Sequence, residues 1–158
     1  MDRTDETTGG HPRSTAKIGG HPIHPMLIPF PIVCFIGTLV TDIGYSRNHD
    51  AGWATASHWL LAVGLIMAAL AAVAGLTDYL GDERIRRLGD ALKHMLANVT
   101  AVVIELVNLI LRWHNDAAIP NIGIYLSGVV VLILLYSGWK GGDLVFRHGM
   151  GVQDSADL

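Results

Sequence analysis

The side chains of this chain that could do chemistry are imidazoles and carboxylates, set in a few short contexts. His21 and His24 stand in Gly20-His21-Pro22-Ile23-His24-Pro25, and Asp78 stands in Thr77-Asp78-Tyr79. His94 is followed one helical turn later by Asn98, and His148 lies in Phe146-Arg147-His148-Gly149. Imidazole is a common ligand of zinc, iron and copper, and a neighbouring carboxylate either ligates the metal or orients the ring. Haem iron is also held by axial histidine. Two histidines at i and i+3 can share a helix face, although Pro22 and Pro25 disturb regular helix there. These residues span most of the sequence, so their acting together depends on the elements that carry them.

Those elements are membrane spans. The chain is 51% hydrophobic and only 16% charged, against about 25% charged in soluble domains, and its mean hydropathy is +0.40. A spanning helix needs about 20 mostly apolar residues. The charged residues leave four such stretches, at about 26–45, 54–76, 91–113 and 119–139. The expected fold is therefore all-α, an integral membrane four-helix bundle occupying residues 21–149, with no room for a separate soluble domain. Residues 1–20 read as a disordered arm and 150–158 as a short tail. No basic stretch leads into an apolar segment with a small-residue cleavage site, so a cleaved signal peptide is not expected. The single cysteine, Cys34, excludes an intramolecular disulfide and any cysteine-rich metal motif. The net charge of −3 argues against a nucleic-acid partner.

Four spans put the N-terminal arm, the 78–93 loop and the C-terminal segment on one side. That side carries Arg3, Arg13, Lys17, Arg84, Arg86, Arg87, Lys93, Lys140 and Arg147; Arg47 and Arg112 fall on the other. Excess Lys and Arg mark the cytoplasmic face, so both termini are expected in the cytoplasm and the protein in a bacterial inner membrane. Tyr45, Trp53, Trp59 and Trp113 near one interface, with Tyr79 and Trp139 near the other, suit aromatic belts. Small residues at four-residue spacing, Ala68 with Ala72 and Ala71 with Gly75 in the second span, and Gly123 with Ser127 in the fourth, favour close helix packing within the chain or in a homo-oligomer.

With this topology drawn, His21, His24, Asp78, His94 and His148 converge on the cytoplasmic end. The glycine-rich run at 138–152 is expected to bend the chain back over that end and bring His148 towards His24 and His94; lacking a Lys-Ser/Thr continuation, it is no phosphate-binding loop. The alternative use of such histidines is hydrogen bonding to headgroups, water or loop carbonyls. The third span adds a second signal. His94, Asn98, Ala101, Glu105, Asn108 and Arg112 recur at three or four residues and form one stripe. Glu105 lies about 16 Å along the axis from His94 at 1.5 Å per residue, near the midplane. A carboxylate there is expected to be neutral or bonded to a partner such as Asn108, serving function or acting as polar glue between helices. Asp42 is expected at the interface. His49, His58 and His114 fall near the outer face, where solvated roles are expected.

The stretches Gly-His-Pro-Ile-His-Pro-Met-Leu-Ile-Pro-Phe-Pro at 20–31, Thr77-Asp78-Tyr79, His94 with Asn98, and Gly141-Gly142-Asp143-Leu144-Val145-Phe146-Arg147-His148-Gly149 together resemble a family of bacterial four-helix inner-membrane proteins, domain of unknown function 2231. The resemblance covers about residues 20–152. It implies a membrane protein without an assigned activity, and an association with redox proteins. His21, His24, Asp78, His94, Asn98 and His148 match the family pattern, whereas His58, Glu105 and Asn108 lie outside it.

The leading expectation is a bundle that holds haem b or a transition metal near its cytoplasmic end and passes electrons beside a redox or respiratory complex. His24 and His94 are the first choices as ligands, then His148 and His21, with Asp78 and Asn98 orienting them. Two rival expectations are a small proton-linked transporter or channel built on Glu105, and a membrane anchor or assembly factor without chemistry.

Overall fold

The computed structural model describes residues 11–152. A two-stranded antiparallel hairpin, β1 (Lys17–Ile18) and β2 (His21–Pro22), precedes the helices α1 (Ile23–Leu27), α2 (Pro29–Asn48), α3 (Ala51–Gly81), α4 (Glu83–Arg86), α5 (Gly89–Arg112) and α6 (Ile124–Phe146). A π-helical turn, Ile119–Gly123, leads into α6. Four helical stretches are long and apolar enough to cross a membrane: Ile23–Asn48, Ala51–Gly81, Gly89–Arg112 and Ile119–Phe146. The four-span all-α architecture is therefore as expected.

Proline and short acidic residues set the boundaries. Pro29 opens α2, where its missing N–H is no loss. Asp50 and Asp82 accept from the N–H groups of Gly52 and Arg84, capping α3 and α4. α2 packs chiefly on α3 and α5 chiefly on α6. Contacts between α2 and α6 and between α3 and α5 close the ring. Each span buries only about a quarter of its hydrophobic stretch. Large apolar and aromatic side chains such as Val33, Ile66, Trp59, Leu132, Leu135 and Trp139 stand on the outer surface, which is the pattern of a lipid-facing bundle rather than a water-soluble one. Inside, Phe35, Leu61, Ala68, Ala101 and Val130 form an apolar layer contributed by all four spans.

Two boundaries differ from expectation. The second and third glycines of the 138–152 run do not break the chain, and α6 continues through Gly141 and Gly142 to Phe146 before the turn. The second half of the expected arm is ordered and docked. Gly19 and Gly20 adopt φ of +57° and +84°, the left-handed pair that a two-residue hairpin turn requires and that glycine supplies without strain. Residues 14–16 then lie across the end of α3, and Gly151 N–H donates to the Pro12 carbonyl at 3.1 Å. Residues 1–10 and 153–158 fall outside the described residues.

Candidate functional site

Two polar centres occupy the bundle, one on each side of the apolar layer. The first contains the expected histidines. His24 in α1 and His94 in α5 meet edge to face with ring centroids 6.1 Å apart. Each ring is fixed from behind by a backbone carbonyl. His24 Nδ1–H donates to Ala71 O at 2.8 Å, and His94 Nδ1–H to Ser137 O at 2.9 Å, with Ser137 Oγ at 3.1 Å. That tautomer puts the lone pair of each ring on Nε2. Asn98, one turn along α5, donates Nδ2–H to His94 Nε2 at 3.1 Å and to His94 O at 2.9 Å. Gly75 makes room for the first ring, since a Cβ there would stand 2.9 Å from His24 Nδ1.

The other expected members of this cluster are placed elsewhere. Asp78 is buried and its Oδ1 accepts from Thr15 N–H and Ala16 N–H at 2.7 Å and from Ser14 Oγ at 2.9 Å, so it fastens the N-terminal segment to α3. His148 Nε2 lies 3.3 Å from Asp90 Oδ2, within an ionic group in which Lys140 bridges Asp90 and Asp143 at 3.1 and 3.0 Å. His21 is exposed and pairs with Ile18 across the hairpin. Among the described residues no three His, Cys, Asp or Glu side chains gather as a metal-binding group.

A two-histidine centre remains chemically adequate. Metal–nitrogen bonds of about 2.0–2.1 Å place two imidazole centroids on one ion up to about 6.4 Å apart, and the observed separation falls within that reach. Ligating histidines almost always donate their second N–H to a carbonyl or carboxylate, as both rings do here. Histidine imidazole can hold haem iron without any other protein ligand. His24 and His94 would hold either group, and the Asn98 amide would have to turn away from His94 Nε2.

The second centre is the larger one. Asp42 of α2, Ser57 of α3, Glu105, Asn108 and Arg112 of α5, and Ser127 of α6 are all fully buried. All five N–H groups of Arg112 are used: Nη1 donates to Asp42 Oδ1 at 2.8 Å and to Ser57 Oγ at 2.6 Å, Nη2 to Asp42 Oδ2 at 3.0 Å and to Asn108 Oδ1 at 2.7 Å, and Nε to Asn108 Oδ1 at 3.1 Å. Such bidentate pairing is the strongest arginine–carboxylate geometry. Ser57 and Ser127 hydroxyls complete Asp42, the latter at 2.8 Å. Asn108 Nδ2 donates to Glu105 Oε2 at 2.8 Å and to Ser127 Oγ at 3.0 Å. Glu105 Oε1 has no partner, alone among buried side-chain polar atoms of the described residues.

Glu105 thus pairs with Asn108, as its position on the stripe implies. Asp42, expected at the interface, is fully buried inside the bundle, where it and Arg112 are each other's partners. A single sequence shows one acid and one base in different spans. Nothing in the sequence says that they share a depth, since Arg112 ends α5 whereas Asp42 stands six residues before the end of α2. The π-helical turn is the other missed feature, and it sets Gly123 beside Arg112 and Asn108. At this end an open cavity of about 500 Å³ is lined by His58, Trp113, His114 and Asp116. His58 Nδ1 and Nε2 lie 2.8 Å from Ala54 O and 3.1 Å from Arg112 O. A neutral ring can donate to one of them, a protonated ring to both.

No curated protein and no solved structure matches this chain. The family model DUF2231, described as a predicted membrane protein, matches residues 20–154, which include His24, Asp78, His94, Asn98 and both polar centres. The chain belongs to this family of predicted membrane proteins.

Proposed function

We propose that the protein holds a metal centre, haem b iron or a transition-metal ion, between His24 and His94 and takes part in electron transfer in the membrane. The observation that carries the reading is the pair itself: two imidazoles from separate spans, 6.1 Å apart, each with Nδ1 tied to a main-chain carbonyl. The bound group would supply reversible one-electron chemistry. The chain's own part is to fix both ring planes, keep Nε2 unprotonated, and surround the rings with the half-buried ends of α1, α3, α5 and α6. A half-buried pair close to the bundle end also leaves a short path to a redox partner at the surface.

Absorbance and elemental analysis of the detergent-purified protein, grown with ample iron, haem precursor, zinc and copper, test this. A Soret band, or stoichiometric iron or copper without one, is the expected result; zinc alone, which has no redox chemistry, would overturn the electron-transfer reading. His24→Ala and His94→Ala should each abolish the band or the metal in a folded protein, while His114→Ala at the far end should not. A wild-type preparation that carries neither haem nor metal would overturn the proposal.

A further inference from the structure

The Arg112 centre is independent of the histidine pair and is separated from it by the apolar layer of Phe35, Leu61, Ala68, Ala101 and Val130. We propose that Glu105 is a reversible proton-binding site inside the membrane, serving a proton-coupled process from the Arg112 end of the bundle.

Asp42 and Arg112 cancel one another, and α3 and α6 contribute the hydroxyls of Ser57 and Ser127. The titratable groups next outward are His58 on α3 and, at 3.9 Å from its Nε2, Asp116 beyond α5. Glu105 therefore supplies the one uncompensated charge of the buried group when ionised, and none when it carries a proton. An isolated charge at membrane depth is costly, so the neutral and ionised forms differ in what the whole centre must solvate.

Every N–H of Arg112 and of the Asn108 amide, and both oxygens of Asp42, are already engaged. Glu105 Oε1 is the vacancy. A sodium-sized cation needs several oxygens with free lone pairs, and the neighbouring oxygens are spoken for. A proton needs one. Uptake forms an O–H bond on the Glu105 carboxylate as a hydronium ion gives up its proton and becomes water, and release is the reverse.

From Glu105 the polar side chains run through Asn108, Arg112 and Ser57 towards His58 and the open cavity, whereas the opposite direction meets apolar carbon. Proton exchange thus communicates with the Arg112 end.

Infrared difference spectroscopy of the wild-type protein in lipid nanodiscs, titrated across about pH 5 to pH 9, a range in which ordinary carboxylates stay ionised, reads the site directly. The expected result is a protonated-carboxyl C=O band that appears and disappears reversibly. It should be lost in Glu105→Gln and retained in Glu83→Gln. It should also survive His24→Ala/His94→Ala, which separates this site from the metal reading. Glu105→Asp, which keeps a titrating carboxyl should the Gln variant fold poorly, should retain the band with a shifted midpoint. A wild-type spectrum with no such band, a band that pH does not change, or a band untouched by both Glu105 substitutions would overturn the proposal.

Discussion

Replacing Arg112 with Met tests how far the buried ion pair holds the four spans together. The substitution removes five hydrogen bonds and leaves the Asp42 carboxylate with two of its four donors, the hydroxyls of Ser57 and Ser127. Interhelical hydrogen bonds in membranes average about 0.6 kcal/mol each, because the unfolded chain finds other partners there; the three to Asp42 and Ser57 amount to about 2 kcal/mol, and the two to Asn108 stay within α5. The figure for stripping one partner from a buried ion pair is about 3–5 kcal/mol, larger because it includes the Asp42 charge left uncompensated. The folded-to-unfolded ratio should fall by a factor of roughly 10²–10³. Asp42→Asn should cost a similar amount by leaving the guanidinium charge uncompensated. The double variant removes both charges, and its cost should fall short of the sum of the singles by about 0.5–3 kcal/mol, the range for residues in contact. Reversible unfolding in mixed micelles, followed by helical circular dichroism, measures all three. Single variants within about 0.5 kcal/mol of wild type, the effect of an ordinary surface change, would refute the reasoning, as would strict additivity.

Gly75→Ala places a Cβ 2.9 Å from His24 Nδ1, and the crowding cost of about 1–3 kcal/mol outweighs the roughly 0.8–1.0 kcal/mol gained in helix propensity; a lower melting temperature is expected in thermal scans. Asp78→Ala should release residues 14–16 from α3 and speed tryptic cleavage after Arg13 and Lys17 without unfolding the spans, read by mass spectrometry. Asp82, outside the spans, is held well below the ordinary carboxylate range, first by the hydrogen bond from Arg84. A depressed carboxylate contributes stability above its unfolded pKa and loses it only as pH falls through the lower folded value. Tryptic protection of the 82–88 turn, measured on samples pre-incubated at pH 7 and at about pH 5, above the unperturbed Asp value of about 3.9, should therefore be the same. Reporter fusions after residue 88 and at the C-terminus should report the cytoplasm and one near Asp116 the opposite side, because burial of Arg112 leaves Arg47 facing nine basic residues across the bilayer.

The spans were legible because lipid is a uniform solvent. Any helix that crosses it must be apolar over its length, so charge spacing alone brackets each element, and the errors fall where charge and helix part company. α3 runs on to Gly81 and α6 to Phe146 because Asp78 and Asp143 are satisfied at their ends, Asp78 by the docked N-terminal segment and Asp143 by Lys140 and Arg147. Glycine density misled at 138–152 for a related reason. Inside a helix packed against neighbours, glycine marks a close approach as often as a turn. Gly141, whose Cβ would lie 3.2 Å from His94 Cε1, is of this kind, whereas Gly19 and Gly20 are true turn residues that the low complexity of the arm concealed.

The two centres were unequally legible because they are built differently. His24 and His94 lie near span ends, where topology alone assigns depth and face, and the i to i+4 step from His94 to Asn98 fixes their relation on one helix. The Arg112 centre is assembled across four helices, and its decisive fact, that Asp42 and Arg112 share a depth, depends on where each span begins. Arg112 stands 23 residues into α5, which begins at Gly89, and Asp42 stands seven before His49, which ends α2; neither offset could be assigned until the helix ends were known. Once they are, the stripe on α5 divides in two. Asn98 and His94 face one end of the bundle, Asn108 and Arg112 the other, and Ala101 carries the apolar layer between them. Glu105 lies on the Arg112 side of that division. A proton on Glu105 and an electron on the histidine pair would therefore belong to opposite sides of the apolar layer, and any coupling between them must pass through the packing of Phe35, Leu61, Ala68, Ala101 and Val130. An Ala101→Leu substitution, which adds bulk to that layer while leaving both polar groups intact, should shift the stability of the whole bundle by about 1–3 kcal/mol. If it instead altered either centre's chemistry with no change in stability, the layer would be a conduit and not a partition.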